Sequence, residues 1–333
     1  LAALCLCLTL LPATAMADSS TPEDVNTWAG LQAAINNNKD AKLTDNIKWG
    51  GSSLTVPAGK NVTINLNAHS IDAEKNGTVI KVYGTLTLEN TGNTGWGGGP
   101  GSGSDAGCLI NGTSNETGGA GGVLIASGGK LIMNGGWIYN CTSTHSTKGA
   151  GGVYVSEDAT FEMSAGVITQ CNGHPSIGLA TASGVVNQGT FTMTGFPILY
   201  SGNATSTNTS DTIVYNSGTF NANAVNSSAI CSNLESKKSN VVNMGTIQSA
   251  PNTYGPKFQV PVINMGYGTI SGGTYESNVS NSGTISGGTF QGTVNNCERG
   301  QLVGRISGGN FQNATVNGKY TVNVTAGANM TVA

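Results

Sequence analysis

Asp158 and Glu162, four residues apart, and the pairs Cys141/His145 and Cys171/His174 are the side chains whose types and spacing could support chemistry. Two carboxylates flanking a glycosidic bond can serve as general acid and as base or nucleophile. A Cys–His pair can ligate a metal. Glu162 stands between Phe161 and Met163, so strand alternation turns it outward, and Asp158 falls at the turn before it. Thirty residues to either side lie Ile132 and Thr192, neither of them acidic, and the nearby base, Lys148, reads as a loop residue. His145 and His174 read as solvated loop histidines. No residue is therefore assigned a catalytic, cofactor-binding or metal-binding role, no cofactor is expected, and the chain is read as not an enzyme.

Other reactive or sticky side chains receive similarly plain readings. Setting aside Cys5 and Cys7, the cysteines are Cys108, Cys141, Cys171, Cys231 and Cys297, an odd number whose spacing fits neither a zinc site nor a disulfide scaffold. Cys141 and Cys171 fall in one column, where free thiols packed as small apolar groups are favoured over a disulfide. Trp96, Trp137 and Tyr139 could stack on sugar rings, but local packing is the commoner role of such residues.

The elements that position these residues follow from composition and repetition. Of 333 residues, 9% are charged and 38% apolar, 50 are glycine, and the net charge is −3. A disordered chain carries more charge and less apolar content. The 14 scattered basic residues form no patch of the kind nucleic acid requires. Such a chain must bury its apolar residues in small, regular portions.

Three segments, Lys130–Met133, Thr160–Met163 and Thr190–Met193, align without gaps 30 residues apart. Ile138, Ile168 and Ile198 continue the register, as do Cys141, Cys171 and Ser201. Period-two alternation inside a fixed 20–50-residue repeat predicts strands that stack as a solenoid. A second motif, Val-x-Asn-x-Gly-Thr, places Asn187, Asn216, Asn243, Asn264, Asn281 and Asn296 at intervals that shrink from 29 to 15 residues. Only an architecture that stacks strands and leaves the loops free tolerates that shrinkage. These asparagines are expected at tight left-handed turns, bonded into a ladder, with the following glycine supplying a positive φ. The Ser-Gly-Gly triplets at 271–273, 286–288 and 307–309 predict a second turn column.

Residues 1–17 read as a partial secretory signal peptide, an apolar run ending in Ala15-Met16-Ala17. Residues 18–40 form a cap region whose helix, Thr27 to Asn36, presents Trp28, Leu31, Ala34 and Ile35 on one face. The solenoid fills 41–333 and reads as truncated at its C-terminus. Strands are expected at Leu54–Val56, Val62–Leu66, Val79–Val82 and Leu86–Leu88, with loop excursions at Thr91–Ala106 and Ser201–Asp211.

The stretches "GLQAAINNN", "LTVPAGKNVTINLNAHSI", "GAGGVYVSEDATFEMSAGVITQC" and "SNSGTISGGTF" resemble bacterial cell-surface right-handed parallel β-helix proteins of the pectin-lyase-like superfamily, adhesin-like members above all. The resemblance covers about residues 25–320 and rests on core and turn residues. It implies an all-β, single right-handed parallel β-helix, secreted or held at the cell surface, that binds an extracellular glycan or protein surface. No nucleic-acid partner and no membrane insertion of the mature chain are expected. The alternative it leaves open is a polysaccharide lyase or hydrolase, or a glycan-binding module.

Overall fold

The computed structural model describes residues 21–92, 107–174, 180–200, 211–224, 228–231, 239–250, 255–299, 302–312, 315–317 and 331–332. The leader over 1–17 and most of both expected loop excursions lie outside them. The described chain is all-β apart from one helix, α1 (Trp28–Asn36). Its strands stack in parallel, each on its counterpart in the previous turn of the chain, an arrangement consistent with a solenoid. Among the described residues only Glu298–Arg299 and Leu302–Val303 pair antiparallel.

Each coil contributes three strand faces. The coil built from Thr85–Glu89, Cys108–Ile110 and Val123–Ile125 is followed by one built from Lys130–Tyr139 and Val153–Val155. In that second coil a single ten-residue strand bends through the corner between the first two faces, and its register shifts at Asn134. The third face is an open sheet of twelve strands running from Leu54–Val56 to Thr331–Val332.

Alternation decides what each face buries. On the first face Leu86, Leu131, Phe161, Phe191 and Phe220 pair in register and are fully buried. The three phenylalanine rings stack at 4.8 Å, the spacing of the strands that carry them. Beside them run Leu88, Met133, Met163 and Met193, equally buried. The second face stacks Phe258, Tyr275, Phe290 and Phe311 at 4.7–4.9 Å. The third face buries a column of branched residues, Leu54, Ile80, Val123, Val153, Val185, Val214 and Val241 among them.

The asparagine column differs from its expected setting. These residues end strands of the third face, directly below Val155, and none has a positive φ. They are buried, and Nδ2 of each donates to Oδ1 of the next at 2.7–2.8 Å from Asn187 through Asn296. The following glycines are required for space rather than for φ. A Cβ on Gly218 would lie 2.1 Å from the Gly189 carbonyl oxygen. The Ser-Gly-Gly triplets do turn the chain, since Gly273 and Gly288 have φ of 94° and 102° at the corner between the first two faces.

The expected isoleucine column slips at its third member. Ile168 pairs with Leu199, not Ile198, because the corner after Met193 holds one more residue than the corner after Met163. Leu199 is buried, and Ile198 points outward, only half-buried.

α1 covers the first coils as expected. Thr27 caps it, accepting from the Gly30 amide at 3.1 Å, and Trp28, Leu31, Ala34 and Ile35 are buried. Its Gln32 amide imitates a neighbouring strand. Oε1 accepts from the Thr55 amide at 2.8 Å and Nε2 donates to the Thr55 carbonyl at 2.9 Å. An edge that would otherwise present unpaired backbone groups is thereby closed.

Candidate functional site

The turn between the second and third faces carries its own side-chain ladder. Asn111, Asn140 and Gln170 occupy it with φ of 56°, 51° and 52°, a region that short polar side chains tolerate best. Asn111 donates to Asp72 at 2.9 Å, Asn140 donates to Asn111 at 2.7 Å, and the Tyr139 hydroxyl donates to Gln170 at 2.7 Å. Left-handed turn residues bonded rung to rung thus exist here, at positions the sequence reading did not single out.

A few residues past this ladder, on the first coils, the chain opens a groove of about 490 Å³. Trp49 forms one wall. Its ring packs at 60° on Trp28 with centroids 5.1 Å apart. A Cβ on Gly77 would lie 2.7 Å from the indole, so only glycine admits the ring at that place. Across the groove Lys81 projects outward from Ile80–Val82, between Thr55 and Leu124. Its Nζ lies 3.1 and 3.2 Å from the two Glu116 carboxylate oxygens. The Ser114 hydroxyl accepts from the Glu116 amide at 3.3 Å and so fixes the loop that carries the carboxylate. Serine, threonine and asparagine line the remainder, with Thr78 donating to the Ala120 carbonyl at 2.7 Å.

Glu116 is the single carboxylate among the described residues of this lining, and it is held by an ammonium. Cleavage by paired carboxylates needs two at a defined separation. An aromatic wall with hydroxyls, amides and one ion pair is suited to holding a polar ligand that has an apolar face.

The side chains first considered for chemistry lie elsewhere. Asp158 is exposed at a turn with φ of 60°. Glu157 directly precedes it, also exposed, an adjacency the sequence reading missed. Glu162 does point outward between Ile132 and Thr192, and it is paired with Lys130 at 2.8 Å, a base that reading also passed over. Lys148 belongs to a strand, Lys148–Ala150, and lies over the Tyr154 ring at 5.8 Å. Nδ1 of His145 accepts from the Lys148 amide at 3.2 Å, and Nε2 lies 2.8 Å from the Thr117 hydroxyl. His145 therefore organises a corner. Among the described residues no three His, Cys, Asp or Glu side chains gather as a metal site.

Among the described residues Cys108, Cys141, Cys171, Cys231 and Cys297 are free thiols, the first three of them buried. Burial, with Cys141 and Asp72 nearby, pushes the Cys108 thiol up to about 12. Burial and the adjacent Cys171 raise Cys141 well above its ordinary value. Thiols held protonated in this way are poor nucleophiles and poor metal ligands. Trp137 and Tyr139 are half-buried, with Trp137 in register between Cys108 and Val167. Trp96 lies outside the described residues.

Sequence reasoning missed the groove because Trp49, Lys81 and Glu116 are separated by 32 and 35 residues in coils of unequal length. The isolated aromatic at 49 and the Gly at 77 were visible, but nothing in the spacing joined them. Among the described residues no helix is long and apolar enough to cross a membrane. No family model, curated protein or solved structure matches the chain.

Proposed function

We propose that the chain is a non-catalytic, secreted or surface-displayed right-handed β-helix of the pectin-lyase-like, adhesin-like kind, which binds glycan or protein surfaces. The observation that carries this reading is the division of labour along each strand. Inward positions supply Phe, Met, Val and Asn columns to the core, while the outward column of the first face, Thr87, Ile132, Glu162, Thr192, Asn221 and Gln248, is polar at every position but Ile132. A column of hydroxyls and amides repeated along a stack offers many weak hydrogen bonds to an extended surface, and such contacts gain strength by multivalency. Among the ionisable groups turned outward, Lys130–Glu162 on the first face and Lys257–Glu276 on the second form separate ion pairs. Burial disfavours the Glu276 charge, but hydrogen bonds from Lys257 and Gln259 outweigh it and hold the carboxyl below its usual range.

The test applies the protein to immobilised neutral glycans, polyuronates and glycoproteins, measuring retention and new chain ends together. The expected result is weak retention that rises steeply with surface density, and no new ends with or without calcium. Product that grows with protein concentration and vanishes in Asp158→Asn or Glu162→Gln, both still folded, would establish a carbohydrate-cleaving enzyme instead.

A further inference from the structure

Resting on the surface-binding reading above, we infer that the groove between Trp49 and the Lys81–Glu116 pair is a saccharide subsite selective for neutral sugars over anionic ones. Its volume of about 490 Å³ falls within the range of about 300–1,000 Å³ usual for small-ligand sites. A pyranose ring has an apolar C–H face and a polar rim, and the groove offers the complement of both. Trp49 supplies the flat apolar face, backed by Trp28 and seated over Gly77, where a Cβ would collide with the ring. An aromatic that is already fixed loses little freedom on stacking, so its contact area goes into binding.

The charges decide the class of sugar. Lys81 is only 24% exposed and both Glu116 oxygens already sit on its ammonium, whereas Glu116 is 58% exposed. A ligand entering from solvent therefore meets the carboxylate first. A uronate, sialate or sulfate would face like charge, and could reach the ammonium only by displacing Glu116 from it. A neutral diol has no such conflict. One hydroxyl donates to the carboxylate while its neighbour accepts from the ammonium, and the pair stays intact. The net charge of −3 weighs in the same direction.

Isothermal titration of the full chain tests this with cellotriose, mannotriose and maltotriose against trigalacturonate. At least one neutral trisaccharide should bind, at least about tenfold more tightly than trigalacturonate. Trp49→Phe should weaken that binding about tenfold, and because Trp49 also packs on the core, its thermal midpoint is recorded alongside. Glu116→Ala, on an exposed loop, should fold normally, with neutral binding weakened and trigalacturonate binding strengthened, because the carboxylate that repels the anion and occupies Lys81 is gone. Glu116→Lys, which leaves two cations and no carboxylate, should reverse the preference. Tighter binding of trigalacturonate by the unaltered chain would overturn the inference. So would neutral binding untouched by all three substitutions, or no trisaccharide binding in a chain that is still retained on glycan or protein surfaces. In those cases surface binding stands and the groove is not its sugar site. Failure to be retained on any of the surfaces would remove the surface-binding reading itself.

Discussion

Met163→Asp is expected to cost about 3–5 kcal/mol, the usual penalty for an uncompensated buried charge, and to open the coils around residue 163 before the rest of the stack. Met163 is fully buried, paired in register with Met133 above and Met193 below. A carboxylate there would stand among thioethers, with no described cation on the inner side of the sheet to meet it. In a stack each coil contacts mainly its neighbours, so the loss should appear first as faster amide exchange in Lys130–Met133 and Thr190–Met193. One position away, Glu162 is 43% exposed and paired with a Lys130 that is 37% exposed. Pairs so open to water contribute at most about 1 kcal/mol. Glu162→Ala should therefore leave the guanidinium midpoint nearly unchanged. Equal destabilisation by the two substitutions would mean that the alternation has been assigned to the wrong faces.

Asn243→Val should be the second most damaging change, at about 2–4 kcal/mol for the buried polar groups it leaves unpaired. Asn243 accepts from Asn216 at 2.8 Å and donates to Asn264 at 2.7 Å and to the Thr269 carbonyl at 3.2 Å. Valine is one heavy atom smaller and branches at Cβ, but Val155 already packs fully buried in the same column. The loss is therefore one of hydrogen bonding more than of packing. Asn187→Val provides the control. Asn187 begins the ladder, and its Oδ1 has no hydrogen-bond partner. Valine there moves the orphan acceptor down one coil to Asn216 and removes the Nδ2 bonds to Asn216 and to the Thr219 carbonyl, but strands no donor, for a smaller cost of about 1–2 kcal/mol. Denaturant melts of the two variants distinguish these cases. Equal losses would show that the amides act singly and not as a chain.

What the sequence revealed and what it concealed follow from the same geometry. Phe161, Met163, Phe191 and Met193 were legible because alternation and a constant 30-residue coil both survive translation into structure. The asparagine column was legible as a ladder but not as a buried one. Asn is common at left-handed turns, and no local pattern distinguishes such a turn from a strand end facing the core. Ile198 was misplaced by a single extra residue in the corner that contains Gly195, Phe196 and Pro197. A slip of one residue turns every side chain of the following strand to the other face. The groove was illegible for a related reason. On the third face the interval between paired residues is 26 from Leu54 to Ile80 and 43 from Ile80 to Val123. No fixed period could therefore have brought Trp49, Lys81 and Glu116 together.

Binding along an outward face depends on those coils being stacked in register, and distances between spin labels measure that directly. Thr63, Thr87, Ile132, Glu162, Thr192, Asn221 and Gln248 form one outward column on successive coils. Nitroxide amino acids incorporated at Thr63 and Thr192 span four coil steps, and at Thr63 and Gln248 six. At about 4.8 Å per step the backbone separations should be about 19 and 29 Å, despite sequence separations of more than a hundred residues. Distributions centred near those values, the second longer than the first by two steps, are the predicted result. Two equal distances, or a Thr63–Gln248 distance shorter than Thr63–Thr192, would mean that the strands close on themselves, and would contradict the stacked coil and the outward face built on it.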